Sequence, residues 1–192
     1  WFRKSAETGF LVGQNNYGYM LEWGRGLPAD PVKAFGWYMK SALQDYARAQ
    51  YSVGRMMANG KGVSRNDELG YDWVRKSAEQ GYAPAQNRLG VMLIDGRGTT
   101  RNESEAIFWY EKAAGQGNIS AQYNLGLNYR LGKGVPQNYV QALYWLNKAA
   151  AKNQMLAKNM LGIMYEFGQG VPKNAVQASQ WYSKAADQGM AA

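Results

Sequence analysis

The apolar positions of this chain form two helical patterns that alternate and return every 36 residues. Between Ala47 and Asn59 they are Ala49, Val53, Met56 and Met57, the spacing of one face of an amphipathic helix. The same face recurs as Ala85, Leu89, Met92, Leu93, as Ala121, Leu125, Tyr129 and as Ala157, Leu161, Met164, Tyr165, with a looser version in Gly13, Tyr17, Met20, Leu21. A second pattern sets Ala34, Trp37, Tyr38 and Ala42 on one face and repeats as Ala106, Trp109, Tyr110, Ala114 and as Ala142, Trp145, Leu146, Ala150. Each period therefore reads as two helices, A then B, in a stacked array whose units need neighbours to bury their apolar faces. The expectation is a single all-α repeat domain, with full units at 10–45, 46–81, 82–117, 118–153 and 154–189, a partial unit at 1–9 and a tail at 190–192. Trp1 is in register with Trp37, Trp73, Trp109, Trp145 and Trp181 and reads as lying inside a helix, so the sequence is expected to be a piece of a longer array.

The punctuation is as regular as the faces. Helix A stops at the first glycine of a Gly-x-Gly at Gly24/Gly26, Gly60/Gly62, Gly96/Gly98, Gly132/Gly134 and Gly168/Gly170, which suits a left-handed helix end. Phosphate binding by these pairs is disfavoured, because the fuller dinucleotide spacing and a preceding strand are both absent. Helix B starts at Asp30, Asn66, Asn102, Asn138 and Asn174, with Pro31 in the first turn and Glu105, Gln141 and Gln177 placed to close capping boxes. It ends near Gly9, Gly81, Gly117 and Gly189, with Asp45 and Asn153 as substitutes. A glycine also stands inside every helix A, at Gly18, Gly54, Gly90, Gly126 and Gly162. Each costs about 1 kcal/mol against alanine, which implies close approach of helix B, expected through its tryptophan.

Composition narrows the chemistry. The chain has no cysteine and no histidine, which removes disulfides, the usual zinc ligands and the commonest general base. The net charge of +8 raises a nucleic-acid or acidic-surface reading. Its placement argues for structure instead, since Lys4, Lys40, Lys76, Lys112, Lys148 and Lys184 share one repeat position and Arg25, Lys61, Arg97 and Lys133 another. Both positions fall near helix C-termini, where cations complement the macrodipole. No apolar run approaches the ~18 residues of a membrane span.

The run Ala121-Gln122-Tyr123, Leu125-Gly126, Tyr129, Gly132-Lys133-Gly134-Val135, Asn138, Ala142, Trp145, Lys148-Ala149-Ala150 resembles the Sel-one-like repeat, a longer cousin of the tetratricopeptide repeat. The resemblance covers essentially the whole chain. It implies a right-handed superhelix of antiparallel helix pairs with A helices on the concave side. It also implies a scaffold or adaptor role through protein contacts, often in bacteria that meet hosts or assemble envelope complexes. One branch of that family carries a disulfide in each repeat, and this chain lacks it.

Repeated positions belong to the fold, so recognition is sought where the repeats differ. On helix A the variable columns are Val12, Arg48, Pro84, Ser120, Leu156; Asn16, Ser52, Arg88, Asn124, Met160; Tyr19, Arg55, Val91, Leu127, Ile163; and Trp23, Asn59, Asp95, Leu131, Phe167. All lie within about 60° of one another on the helix. Arg48, Arg55 and Arg88 make the earlier part basic, while Leu127, Leu131, Leu156, Met160, Ile163 and Phe167 make the later part apolar, and Trp23 is the one tryptophan outside the repeated column. These ten residues are the candidate partner-binding set, for an extended or helical peptide anchored on the aliphatic end and read by the arginines. The plainer alternative is that a neighbouring repeat or curvature covers the later apolar residues. Asp95, Glu22 and Glu166 also lie on this face, but on different repeats, so spacing suggests no carboxylate pair, and neither catalysis nor a metal or cofactor is expected.

Overall fold

A computed structural model of the chain describes residues 1–187, and every regular element among them is an α-helix. The helices gather into two compact units, residues 1–102 and residues from 103 onward. The first holds α1 (Phe2–Glu7), α2 (Leu11–Trp23), α3 (Pro31–Ala42), α4 (Ala47–Asn59), α5 (Asp67–Glu79) and α6 (Ala83–Asp95). The second holds α7 (Glu103–Gly115), α8 (Ile119–Leu131), α9 (Tyr139–Ala151), α10 (Met155–Phe167) and α11 (Ala175–Ala186). The even-numbered helices are the A helices, and the odd-numbered ones from α3 onward are the B helices. The Trp1 carbonyl accepts the first helical bond of α1 from the Ser5 amide, in line with the helix expected there.

Gly18, Gly54, Gly126 and Gly162 sit where A meets B. A Cβ on Gly54 would lie 2.7 Å from the Gly70 carbonyl oxygen and 2.7 Å from Val74 Cγ2, and one on Gly70 would lie 3.0 Å from Ala58. As numbers rise along α4 they fall along α5, so the pair is antiparallel. The residue facing the glycine is not the tryptophan expected from the pattern. Gly18 faces Tyr38, Gly54 faces Val74, Gly126 faces Leu146 and Gly162 faces Tyr182, in each case the residue after the tryptophan. One residue is a rotation of about 100° on a helix, enough to turn the indole aside from the contact.

The tryptophans instead carry the lysine row. The ammonium groups of Lys40, Lys76, Lys112, Lys148 and Lys184 lie 4.2, 4.8, 5.1, 5.1 and 4.5 Å from the ring centres of Trp37, Trp73, Trp109, Trp145 and Trp181. Each lysine is also in the last turn of its helix, so ring face and helix dipole attract the same charge.

The loops show how tightly the pairs are tied. Gly60 ends α4 in the left-handed conformation at φ 65°. The second glycine of the pair makes room for a neighbour, because a Cβ on Gly62 would strike the Pro31 carbonyl where the loop passes directly under the start of the preceding helix B. The caps of helix B form as expected, with the Asp30, Asn66, Asn138 and Asn174 side chains accepting from the backbone N–H three residues on. At Asn138 and Asn174 the reciprocal half of the predicted capping box does not close. The amide N–H of Asp30, Asn66, Asn102, Asn138 and Asn174 already donates to Leu21, Met57, Leu93, Tyr129 and Tyr165, locking the start of B onto the last turn of A. Glu105, one of the expected box residues, accepts from Trp109 Nε1 at 3.4 Å. At the far end, Gly9, Gly81, Gly117, Asp45 and Asn153 all take positive φ, while Gly189 lies outside the described residues.

A buried glutamine column joins successive repeats. Gln50, Gln86 and Gln122 donate their side-chain amides to the carbonyls of Ala42, Ala78 and Ala114, satisfying the end of the preceding helix B. Around these contacts the first unit buries Leu21, Ala34, Tyr38, Val53 and Met56, and the second buries Leu146, Ala149, Leu161 and Met164.

Two glycines in the first unit give opposite predictions. Gly54→Ala should destabilise the chain by about 2 kcal/mol, because the new methyl meets backbone. Gly36→Ala, where a Cβ in α3 meets nothing within 4 Å, should stabilise it by up to about 1 kcal/mol. Urea denaturation of both variants checks the pair; equal effects would remove the close-contact explanation.

Candidate functional site

In the first unit the variable residues of α2 and α4 surround a cavity of about 550 Å3, lined by Asn15, Asn16, Tyr19, Glu22, Trp23, Tyr38, Arg48, Tyr51, Ser52, Arg55 and Tyr82. Helical spacing puts Arg48, Ser52 and Arg55 on one stripe of α4, and Asn15, Tyr19, Glu22 and Trp23 on the facing stripe of α2. Tyr82, at the N-cap of α6, closes one side by stacking edge-on against Tyr51 with ring centres 5.6 Å apart.

The floor is ionic. The Glu22 side chain is fully buried and takes two bonds from Arg55 Nη2, at 2.5 and 2.7 Å, one from Lys61 Nζ at 3.0 Å and one from the Tyr38 hydroxyl at 3.1 Å. Burial pushes the Glu22 carboxyl up, but the hydrogen bonds and charges of Arg55 and Lys61 outweigh it and hold the group below its ordinary 4.5. Burial, then the Glu22 charge and hydrogen bond, push the Tyr38 hydroxyl well above its ordinary 10.0, so the phenol stays a donor. Glu22 is therefore an ionised anchor whose acceptor sites are occupied, a poor fit to a general acid or base. Lys61 also lies 4.1 Å from the Trp23 ring centre, and Arg25 lies 5.1 Å from that of Tyr19.

Of the candidate set, the cavity brings together Trp23, Arg48 and Arg55. Trp23 and Arg48 are exposed, whereas Arg55 is half-buried against Glu22. Arg88 lies on α6, half-buried and outside the cavity lining, with a buried Nε that has no acceptor. In the second unit Leu156, Met160, Ile163 and Phe167 make one stripe on α10, and Leu127 and Leu131 lie on α8. Leu131, Leu156 and Phe167 are 45, 41 and 65% exposed. Leu127 and Ile163 are half-buried, and Met160 packs partly against the core. Asn15, Tyr51 and Tyr82 escaped the sequence reading. Asn15 and Tyr51 share a column that continues as Asn87, Tyr123 and Asn159, and that alternation was the available signal.

The second unit repeats half of the Glu22 arrangement. Tyr182 donates to Glu166 at 2.5 Å, and its hydroxyl is pushed up to about 12 by burial and then by Glu166. Glu166 and Tyr182 stand four periods after Glu22 and Tyr38.

A family profile described as Sel1 repeat matches residues 11–46, 47–82, 83–118, 119–154 and 156–190. No curated protein matches the chain. Among solved structures, the chain is similar to a protective antigen present in uropathogenic Escherichia coli strains displaying an SLR fold, at 36% identity and a TM-score of 0.91. That match covers 99% of this chain but 41% of the antigen. It is also similar to a Sel1 repeat protein from Oxalobacter formigenes, at 34% identity and a TM-score of 0.88, covering 93% of this chain and 71% of the other. Helicobacter pylori cysteine rich protein B shares the fold alone, at 23% identity and a TM-score of 0.52 over 67% of this chain and 95% of its own.

The Glu22 network makes a pH-dependent prediction. Glu22→Gln should cost about 2 kcal/mol at neutral pH, because it leaves Arg55 without its carboxylate. The folded carboxyl titrates below its unfolded value, so its contribution is complete above about 4.5 and is lost as pH falls through the folded value. The difference in Tm between the chain and the variant should therefore narrow as pH is lowered from 7 into that acid range. Thermal melts across pH test this, and a constant difference would mean that the loss is packing and not charge.

Proposed function

The chain belongs to the Sel1 repeat family of helical interaction scaffolds, and from that premise we propose that it binds a peptide or partner protein on the face formed by its A helices. The observation carrying this reading is a division of roles. Residues that recur are committed to the fold, as in the glutamine column, the N-caps and the lysines over tryptophan rings. Residues that differ between repeats carry the exposed Trp23, Arg48, Leu131, Leu156 and Phe167. Trp23 and Arg48 give the first unit an aromatic and basic surface, and Leu131, Leu156 and Phe167 give the second an apolar one, both kinds of surface met at protein interfaces. The role is that of a scaffold without catalysis, since Glu22 is consumed by its partners.

The basic charge supports a nucleic-acid partner less well. Arg55 and Lys61 are paired with Glu22, Arg65 and Arg97 with Asp67, and Arg3, Lys33 and Arg75 with nearby carboxylates. A phosphate track needs rows of cations free to replace counterions.

Panning a random peptide library against the whole chain should enrich specific peptides. Replacing Leu131, Leu156 and Phe167 together by serine should lower their binding about tenfold or more, with the helical circular dichroism unchanged. Enrichment of nothing, together with oligothymidylate binding that falls steeply and linearly with salt on logarithmic axes, would hand the face to nucleic acid.

A further inference from the structure

We propose that the cavity of the first unit selects an acidic segment of a partner chain, taking an Asp or Glu side chain against Arg48 while Glu22 holds Arg55 and Lys61 in the wall. This rests on the reading of the A-helix face as a peptide-binding surface. At about 550 Å3 the cavity has room for a few residues of extended chain. Two cations line it, Arg48 and Arg55, and Lys61 reaches Glu22 from beside Trp23, against the single carboxylate of Glu22. The wall is therefore left with net positive charge after internal pairing. Arg48 is the cation free to answer it, since among the described residues no carboxylate pairs with it and its guanidinium rests 5.9 Å from the Tyr82 ring centre.

A second feature points to a peptide. Asn15 lines the cavity, is 9% exposed and has a buried Oδ1 with no hydrogen-bond donor. Its amide nitrogen makes one long bond, 3.4 Å, to Asn16 Oδ1, so the group is held loosely. Turning this amide about its Cβ–Cγ bond offers the oxygen a backbone N–H from a bound chain, which removes the penalty of an unsatisfied acceptor. Tyr19, Trp23, Tyr51 and Tyr82 supply flat apolar walls around these polar groups.

The test is the same library panned on the whole chain and on Arg48→Gln, an exposed substitution that leaves the core intact. The chain should enrich peptides containing Asp or Glu, and Arg48→Gln should lose that preference. For a selected peptide, replacing its acid by the matching amide, or Arg48 by Gln, should each weaken binding about tenfold. Glu22→Gln, which releases Arg55 and Lys61 toward the cavity, should strengthen it several-fold. Peptides without acidic preference, lost on Phe167→Glu but not on Arg48→Gln, would overturn this assignment and leave peptide binding on the A face standing. Displacement of a selected peptide by oligothymidylate through Arg48 would assign the cavity to phosphate instead. Enrichment of no peptide at all would overturn both.

Discussion

Within each unit, the close approach of helix A to helix B is the constraint on which the other features depend. At Gly54 the gap between α4 and α5 is too small for a methyl group, because backbone of α5 stands where the Cβ would be. At Gly62 the following loop runs against the carbonyl of Pro31, which draws one repeat onto the previous one. These two contacts set the spacing within a pair and between pairs. Once the spacing is set, the glycine side of helix A is committed to helix B, and Trp23, Arg48, Leu156 and Phe167 of the variable columns are left exposed.

Polar residues that recur serve this geometry. Helix ends leave unsatisfied carbonyls, and close packing leaves no room for water to meet them. Gln50, Gln86 and Gln122 answer with side-chain amides that cross from one repeat to the next, and the N-cap amides answer the last turn of helix A. Lys158 stands in the last such position and donates to Asn153 at 3.1 Å, the counterpart of the Gln50 contact with Asp45. The lysines over tryptophan rings belong to the same set. They explain how a chain of net charge +8 can commit much of that charge to its own structure.

The parts of this molecule legible in the sequence are those governed by local chemistry. Periodicity, the caps at Asp30 and Asn66, and the left-handed ends at Gly60 and Asp45 follow from what a residue does to its own backbone or to one a few positions away. The error over the tryptophan came from judging the contact by size, when a single step along the helix redirects the side chain. The capping boxes at Asn138 and Asn174 failed because a distant carbonyl competed for the same amide. Glu22 was hardest to read, since Arg55 and Lys61 reach it from 33 and 39 residues away. Its column, which continues as Ala58, Ile94, Arg130 and Glu166, showed only that the position is not part of the repeat.

That column and its neighbour show how one scaffold can carry different recognition chemistry. In the first unit Glu22 is answered by Arg55, and the pair makes an ionic floor with Tyr38 as donor. In the second unit the positions equivalent to Arg55 are Leu127 and Ile163, and the tyrosine contact survives at Glu166 and Tyr182. Exchanging an arginine for an aliphatic residue here changes the face from basic to apolar without touching the glycine contact beneath it. The buried half of each helix A tolerates little change because a methyl group is already too much. The outer half is bound by no such limit, so differences in ligand can accumulate there while the helix pairs stay the same.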